Sequence, residues 1–254
     1  MNKHSRIFLA GHNGHVGSAI YKKLKQQGYK KILVIPRKKL DLTNQNQVFN
    51  FLKKNKPYYV IIAAARVGGI LANNKYRAEF IYQNLSIQNN LIHGSYISGV
   101  KNLIFLGSSC IYPKNANQPM KEEELLAGKL EPTNEPYAIA KIAGIIMCKS
   151  YNRQYGESHN IDYRCIMPTN LYGPGDNYHP ENSHVIPGLI ARMHEAKLKK
   201  LPHFNIWGSG NPKREFLFVD DLSNSIKFII ENNIDEDLMN IGSGEEISIN
   251  KLAK

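Results

Sequence analysis

The chain predicts an α/β fold, a doubly wound parallel sheet with a smaller C-terminal α/β lobe. Three observations carry that prediction. A short apolar run at the N-terminus passes through a glycine-spaced turn into a helical pattern at residues 5–28. Further apolar runs at 31–35, 58–65, 102–106 and 162–167 alternate with helical patterns, as strand–helix–strand units require. Several of these runs end in small or polar residues, at the strand ends where an open parallel sheet gathers its ligands.

Composition narrows the field. With 254 residues, 42% of them hydrophobic and 21% charged, the chain suits one large α/β domain or one with a small lobe attached. No apolar run approaches the ~18 residues of a membrane span. The N-terminus passes straight into a strand, which leaves no room for a secretory leader. Cys110, Cys148 and Cys165 lack metal-type spacing, so a reduced, cytoplasmic protein without a metal is expected. The net charge of +12 comes from scattered lysines such as Lys22, Lys53 and Lys197, which read as a solvated surface rather than a nucleic-acid or membrane footprint.

Residues 5–10 form the first strand, and Gly11-His12-Asn13-Gly14-His15-Val16-Gly17 follows at once. Gly11 permits the tight turn, Gly14 lets backbone approach a diphosphate, and Gly17 lets the helix pack on the strand. The helix N-terminus then offers free N–H groups and partial positive charge to that diphosphate, as in a Rossmann dinucleotide-binding turn. The second strand, Lys31–Ile35, ends in Pro36-Arg37-Lys38-Lys39. An acid about 20 residues past the glycines would suit NAD. Here the segment is basic and its first acid is Asp41, so Arg37 suits the 2′-phosphate of NADP. A helix over 44–54, a buried strand over 58–65 with a small Ala63-Ala64-Ala65 end, a loop over 66–70 and a long helix over 75–98 come next.

The strand from Asn102 runs into Gly107-Ser108-Ser109-Cys110. Ser108 and Ser109 there are placed to donate to a substrate carbonyl, although serines after a strand are also common turn residues. Cys110 suits a thiolate base as well as a small packed hydrophobe. Pro136 opens the central helix, which puts Tyr137 and Lys141 on one face, four residues apart. A cation beside a phenol is expected to pull its pKa down from about 10, so that the phenol exchanges a proton with a carbonyl oxygen. With the nucleotide loop and the serine donor, the pair outlines a carbonyl-reduction site.

A strand over 162–167 leads into Pro168-Thr169-Asn170-Leu171-Tyr172-Gly173-Pro174, and His184 stands where a long loop meets a helix over 188–197. Strands are expected at 204–210 and 213–221, and helices at 222–232 and from 249 onward. Trp207 suits stacking on a base or packing in a core. Arg214 suits a diphosphate clamp or a surface ion pair. The final residues, 249–254, read as the opening of a helix cut short.

The motifs Phe105–Lys114, Leu130–Gly144, Pro168–Pro174, Ala64–Ile70, Asn182–Pro187 and Trp207–Gly210 resemble those of the GDP-L-fucose synthase family. These are GDP-4-keto-6-deoxy-D-mannose 3,5-epimerase/4-reductases of the extended short-chain dehydrogenase/reductase superfamily, and the resemblance covers essentially the whole chain. It implies Ser108, Tyr137 and Lys141 as the reductase triad, with Cys110 and His184 moving protons at C3 and C5. It implies NADPH contacts from Gly11, Gly14, Val16, Gly17, Arg37, Asp41, Leu42, Lys141, Pro168, Asn170, Leu171 and His184, and GDP-sugar contacts from Arg192, Trp207 and Arg214. The family often has an arginine where this chain has Asn13, so NADP preference rests mainly on Arg37. Family members also continue beyond residue 254.

The resemblance further implies a homodimer through the helices carrying Tyr137 and residues 75–98. The expected division is a nucleotide-binding domain over 1–168 and an incomplete substrate lobe over 169–254, interleaved with it. Rival readings are the same chemistry on a GDP-4-keto-6-deoxy-heptose, reduction without epimerisation, and a non-catalytic NADP-binding sensor.

Overall fold

The computed structural model describes residues 1–179, 182–232 and 234–254. Its first half runs β1 (Ile7–Ala10), α1 (His15–Gln26), β2 (Ile32–Leu33), α2 (Gln45–Asn55), β3 (Tyr59–Ile62), α3 (Ile70–Lys75), α4 (Arg77–Ile97) and β4 (Asn102–Leu106). Then come α5 (Glu135–His159), β5 (Asp162–Pro168), β6 (Asn170–Tyr172), α6 (Val185–Leu198), β7 (Lys213–Phe218), α7 (Val219–Glu231), β8 (Leu238–Ile241), β9 (Glu246–Ser248) and α8 (Ile249–Leu252).

Six strands form an all-parallel sheet in the order β2-β1-β3-β4-β5-β8. Helices cover both faces, which is why β1 and β3 are buried along their whole length and read as unbroken apolar runs. On one face α1 and α7 pack together over Leu9, Ile20, Leu24, Ile61, Leu222 and Ile226. On the other, α2, α4 and α5 close over Phe8, Val60, Leu91, Phe105, Ile145 and Cys165. The chain reverses direction across the sheet between β1 and β3, so a crevice opens there beyond the strand ends. A separate three-stranded sheet, β6-β7-β9, pairs β6 with β7 in parallel and β7 with β9 antiparallel.

α4 is apolar and polar all round, unlike an ordinary surface helix. Its amides Asn84, Gln88 and Asn90 are buried, and each holds another part of the fold. Asn84 accepts from the Arg66 N–H at 2.9 Å and donates to the Arg66 carbonyl at 3.0 Å, fixing the loop after β3. Gln88 donates to the Ala140 carbonyl of α5 at 2.6 Å, and Asn90 to the Leu42 carbonyl beyond β2 at 3.0 Å.

The structure departs from the sequence reading in several places, and β6, β8 and β9 are strands that it did not expect. Residues 70–75, expected within and just beyond a loop, form α3, with a break at Tyr76 before α4. Residues 204–210 are not a strand: Gly208 and Gly210 take φ of +74° and +71°, and β6 and β9 already occupy both edges of β7. β7 stops at Phe218, because Asp220 and Asp221 sit in the first turn of α7, where the helix dipole favours acids. β2 is only Ile32–Leu33.

Candidate active site

The C-terminal ends of β1, β4 and β5 lie along one edge of the parallel sheet, and the glycine loop, Ser108 and Pro168 follow them directly. Gly11 has a φ of +92°, and a Cβ there would meet the Ala64 N at 2.7 Å. A Cβ on Gly17 would fall 2.1 Å from the Gly11 carbonyl oxygen, so α1 can approach β1 this closely only through glycine. Gly14 is the N-cap of α1 and supplies no side-chain cap, which leaves the first-turn N–H groups of His15, Val16 and Gly17 without an intrahelical partner. Arg37 is exposed in the turn after β2 and makes no hydrogen bond among the described residues. Asp41 faces inward on its own loop, its Oδ1 accepting from the Thr43 N–H at 3.0 Å and the Thr43 hydroxyl at 2.8 Å. Those bonds, more than Arg37, hold its carboxyl below the usual range. A tight glycine cradle, an uncapped helix start and a free guanidinium fit a dinucleotide bearing a 2′-phosphate.

Ser108 caps a short 3₁₀ turn over Ser109–Ile111, its Oγ accepting from the Cys110 N–H at 3.3 Å. That turn packs on the start of α5, where the Asn134 side chain donates to the Cys110 carbonyl at 3.3 Å. Cys110 is exposed rather than packed in the core. Tyr137 is half-buried and stands edge-on to Phe80, ring centroids 6.4 Å apart. Burial pushes the Tyr137 phenol well up, neighbouring Cys110 pushes it further, and a hydrogen bond with Ser108 works the other way. Ser108, Cys110 and Tyr137 therefore meet around one point.

Lys141 is 3% exposed, and its ammonium donates to the Leu106 carbonyl at 2.6 Å. It lies 4.7 Å from the Phe105 ring centre and 5.9 Å from that of Tyr137. Burial brings the Lys141 pKa down to about 8. The expected lowering of the tyrosine pKa by this lysine is thus absent, because desolvation of the phenol outweighs a cation whose hydrogen bond goes to Leu106.

The remaining expected residues fall into separate groups. His184 is the exposed N-cap of α6. The loop before it is held where the Gly69 N–H donates to the Asn182 carbonyl at 3.2 Å, and a Cβ on Gly69 would meet the Ser183 oxygen at 2.6 Å. His184 acts electrostatically on His15 of the glycine loop. Arg192 lies over Trp207 at 4.6 Å, and Trp207 is 54% exposed, a stacking surface rather than core. The Arg192 Nε is buried without a partner, and burial lowers its pKa. Arg214, on β7, donates to the Lys213 carbonyl at 2.7 Å and joins neither Arg192 nor Trp207. Asn170 ties β6 to β7 through the Glu215 carbonyl, Leu42 accepts from Asn90, and Val16 and Leu171 pack against the core.

Sequence reasoning missed Asn134, His15 and Asp176 at this edge, and the buried amides of α4. Asn134 had a signal, an amide just before Pro136 at a helix start. The others had none, since their roles come from segments far apart in the chain. No group of three or more His, Cys, Asp or Glu that could hold a metal occurs among the described residues. No helix there is long and apolar enough to cross a membrane.

A parallel sheet with a glycine turn after β1 and a Tyr–Lys helix beside a serine-bearing strand end defines a class. The chain belongs to the NAD dependent epimerase/dehydratase family, whose sequence model matches residues 7–242. It is 54% identical over 253 residues to GDP-L-fucose synthase 1 of Arabidopsis thaliana, covering 100% of this chain and 77% of that one. Against the GDP-L-fucose synthase of Escherichia coli (strain K12), identity is 52% over 258 residues, covering 98% and 79%. Among solved structures it is similar to MlghC, a GDP-mannoheptose C4 reductase from Campylobacter jejuni with NADP bound. The TM-score is 0.89 at 39% identity, over 100% of this chain and 83% of that one.

Proposed function

We propose that this protein is an NADPH-dependent 3,5-epimerase/4-reductase that converts GDP-4-keto-6-deoxy-D-mannose into GDP-L-fucose. The observation that carries this reading is the meeting of Ser108, Tyr137 and Cys110 at the end of β4, beside a loop built for a dinucleotide. Ser108 and Tyr137 donate to the 4-keto oxygen and so acidify the C–H bonds at C3 and C5. Cys110 and His184 serve as the base and acid pair, one removing a proton from one face and the other returning one to the opposite face. The enolate oxygen between those events is held by Ser108 and Tyr137. Inversion at C5 gives the L series, and inversion at C3 with reduction at C4 gives the galacto configuration.

NADPH, when bound, supplies a hydride to C4. Tyr137 gives its proton to the forming alkoxide and regains one from solvent; its raised pKa keeps that proton in place at neutral pH. Lys141 stays protonated below about pH 8 and keeps positive charge beside the reacting oxygen. Gly11, Gly14, Val16 and Gly17 would cradle the diphosphate and Arg37 the 2′-phosphate. Asp41, Leu42, Pro168, Asn170 and Leu171 would line the rest of the cofactor groove, with Lys141 and His184 at its nicotinamide end. Arg192, Trp207 and Arg214 would anchor the GDP moiety away from the reacting carbons, which supplies positioning.

We assign the substrate lobe to 169–254, with β8 returning to the nucleotide-binding sheet of 1–168. A cytoplasmic homodimer through α4 and α5 fits their exposed Tyr82, Ile97, Ile139 and Ile146. The likeness to a heptose reductase favours a second reading, the same site acting on a GDP-4-keto-6-deoxy-heptose.

The test is turnover of GDP-4-keto-6-deoxy-D-mannose with NADPH in deuterated water, read by NMR. Fucose carrying deuterium at C3 and C5 is expected. Cys110→Ser should lose that exchange and keep reduction. Reduction without deuterium at either carbon would leave a 4-reductase, and turnover of the heptose alone would move the assignment to the second reading.

A further inference from the structure

His15 opens α1 in the middle of the glycine loop, yet no step above uses its side chain. That side chain is 15% exposed, and its Nδ1 lies 3.7 Å from Oδ1 of Asp176, whose own side chain is 5% exposed. The separation is too long for a hydrogen bond. His15 Nε2 and Asp176 Oδ2 are both buried without a partner, while Asp176 Oδ1 accepts from the Asn177 N–H at 2.7 Å. Native folds rarely leave two idle polar atoms in one small space, because a buried polar group without a partner loses its hydration and gains nothing in return.

The surroundings say what the pair joins. Asp176 belongs to the loop that follows β6. At its neighbour Gly175, a Cβ would lie 3.9 Å from the hydroxyl of Ser18, which itself donates to the His15 carbonyl at 2.9 Å. The loop thus rests on the first turn of α1, the turn whose free N–H groups suit a diphosphate. Among the described residues the charged groups acting on His15 are Asp176, from this loop, and His184, from the start of α6. Burial is the strongest influence and lowers the imidazole pKa, Asp176 raises it and His184 lowers it, and the net effect holds His15 below the usual imidazole range. An anion on α1 would add a second charge favouring the imidazolium.

We propose that His15 and Asp176 are positioning residues forming a proton-linked latch. When the dinucleotide's diphosphate settles on α1, His15 takes one proton from solvent, and its imidazolium pairs with Asp176 to fasten the loop after β6 to the cofactor loop. Cofactor affinity and the seating of Gly175 and Asp176 on α1 are thereby coupled through one proton. The proposal rests on NADPH occupying the glycine loop.

Calorimetric titration of NADP⁺ into the protein at pH 7, in buffers of different ionisation enthalpy, counts the protons taken up per site. The wild type should take up more than His15→Gln, by a fraction approaching one proton, and Asp176→Asn should lose the same uptake. Between pH 8 and pH 6 wild-type affinity should strengthen several-fold more than that of His15→Gln. The cofactor's 2′-phosphate titrates alike in all three proteins, so the difference belongs to the imidazole. Ring ¹⁵N shifts of His15 in the unaltered protein should move from the neutral to the imidazolium pattern on adding NADP⁺, independently of any variant's folding. Binding with equal uptake in all proteins and unmoved His15 shifts would overturn the latch and leave the cofactor site standing. No binding of NADP⁺ to the wild type would overturn both.

Discussion

At Lys141 the proposed chemistry and the stability of the fold pull in opposite directions. The unfolded chain holds its proton to about pH 10.5, whereas the folded protein holds it only to about 8. The penalty of burying the charge, on the order of 3 kcal/mol, is present below pH 8 and is relieved as pH rises through that window. Lys141→Met removes the penalty but strands the Leu106 carbonyl, so a net gain of about 1–2 kcal/mol at pH 7 is expected. Urea denaturation should show that gain fading above pH 8, while reductase activity falls by orders of magnitude. The Y-x-x-x-K spacing made this pair legible in the sequence. The direction of the tyrosine pKa was not, because it depends on how deeply the phenol is buried and on where the ammonium's hydrogen bond goes.

At the scale of elements, α4 is held by its amides as much as by its apolar residues. Asn84→Ala would leave the N–H and carbonyl of Arg66 unpaired, and a loss of about 2–3 kcal/mol is expected in chemical denaturation. α7 closes on the opposite face of the sheet through Glu231. Burial alone would raise the Glu231 carboxyl, but hydrogen bonds with Lys227, Lys3 and Tyr29 outweigh it and hold the pKa at about 2. That stability is present above the ordinary carboxylate range, near pH 4.5, and is lost as pH falls towards 2. Glu231→Gln is therefore expected to cost about 1–2 kcal/mol at pH 7 and nothing near pH 2, as acid titrations of the two proteins would reveal. β1 to β5, β7 and most helices were legible because their periodicity is local, whereas the short strands β6, β8 and β9 were not. α3 was not, since glycine and asparagine are poor helix formers and Gly68-Gly69 and Asn73-Asn74 weaken the local pattern, and neither was the coil at 204–210, where sheet partners rather than local pattern decide.

For the molecule as a whole, ligand binding and folding are one equilibrium. NADP⁺ at about 100 times its dissociation constant adds about 2.7 kcal/mol to the folded state, which for a chain of this size raises the Tm by roughly 5–10 °C. Thermal scans with NADP⁺ and with NAD⁺ at equal concentration should separate by several degrees if Arg37 reads the 2′-phosphate, and Arg37→Ala should close the gap. The glycine turn after β1 was legible because strand, turn and helix are contiguous in the chain. The Arg192–Trp207 stack and the His15–Asp176 pair bring together residues 15 and 161 positions apart, and composition carries no trace of them.

The burial of Lys141 has a consequence for covalent labelling. An amine that is largely unprotonated just above pH 8 is a ready nucleophile towards acylating reagents, yet with 3% of the residue exposed none can reach it while the core stays closed. The lysines on the surface acylate at rates set by the reagent, whereas Lys141 acylates only as often as α5 lifts from the sheet. Mass-spectrometric timing of that one modification therefore turns the site's own lysine into a clock for the breathing of the fold.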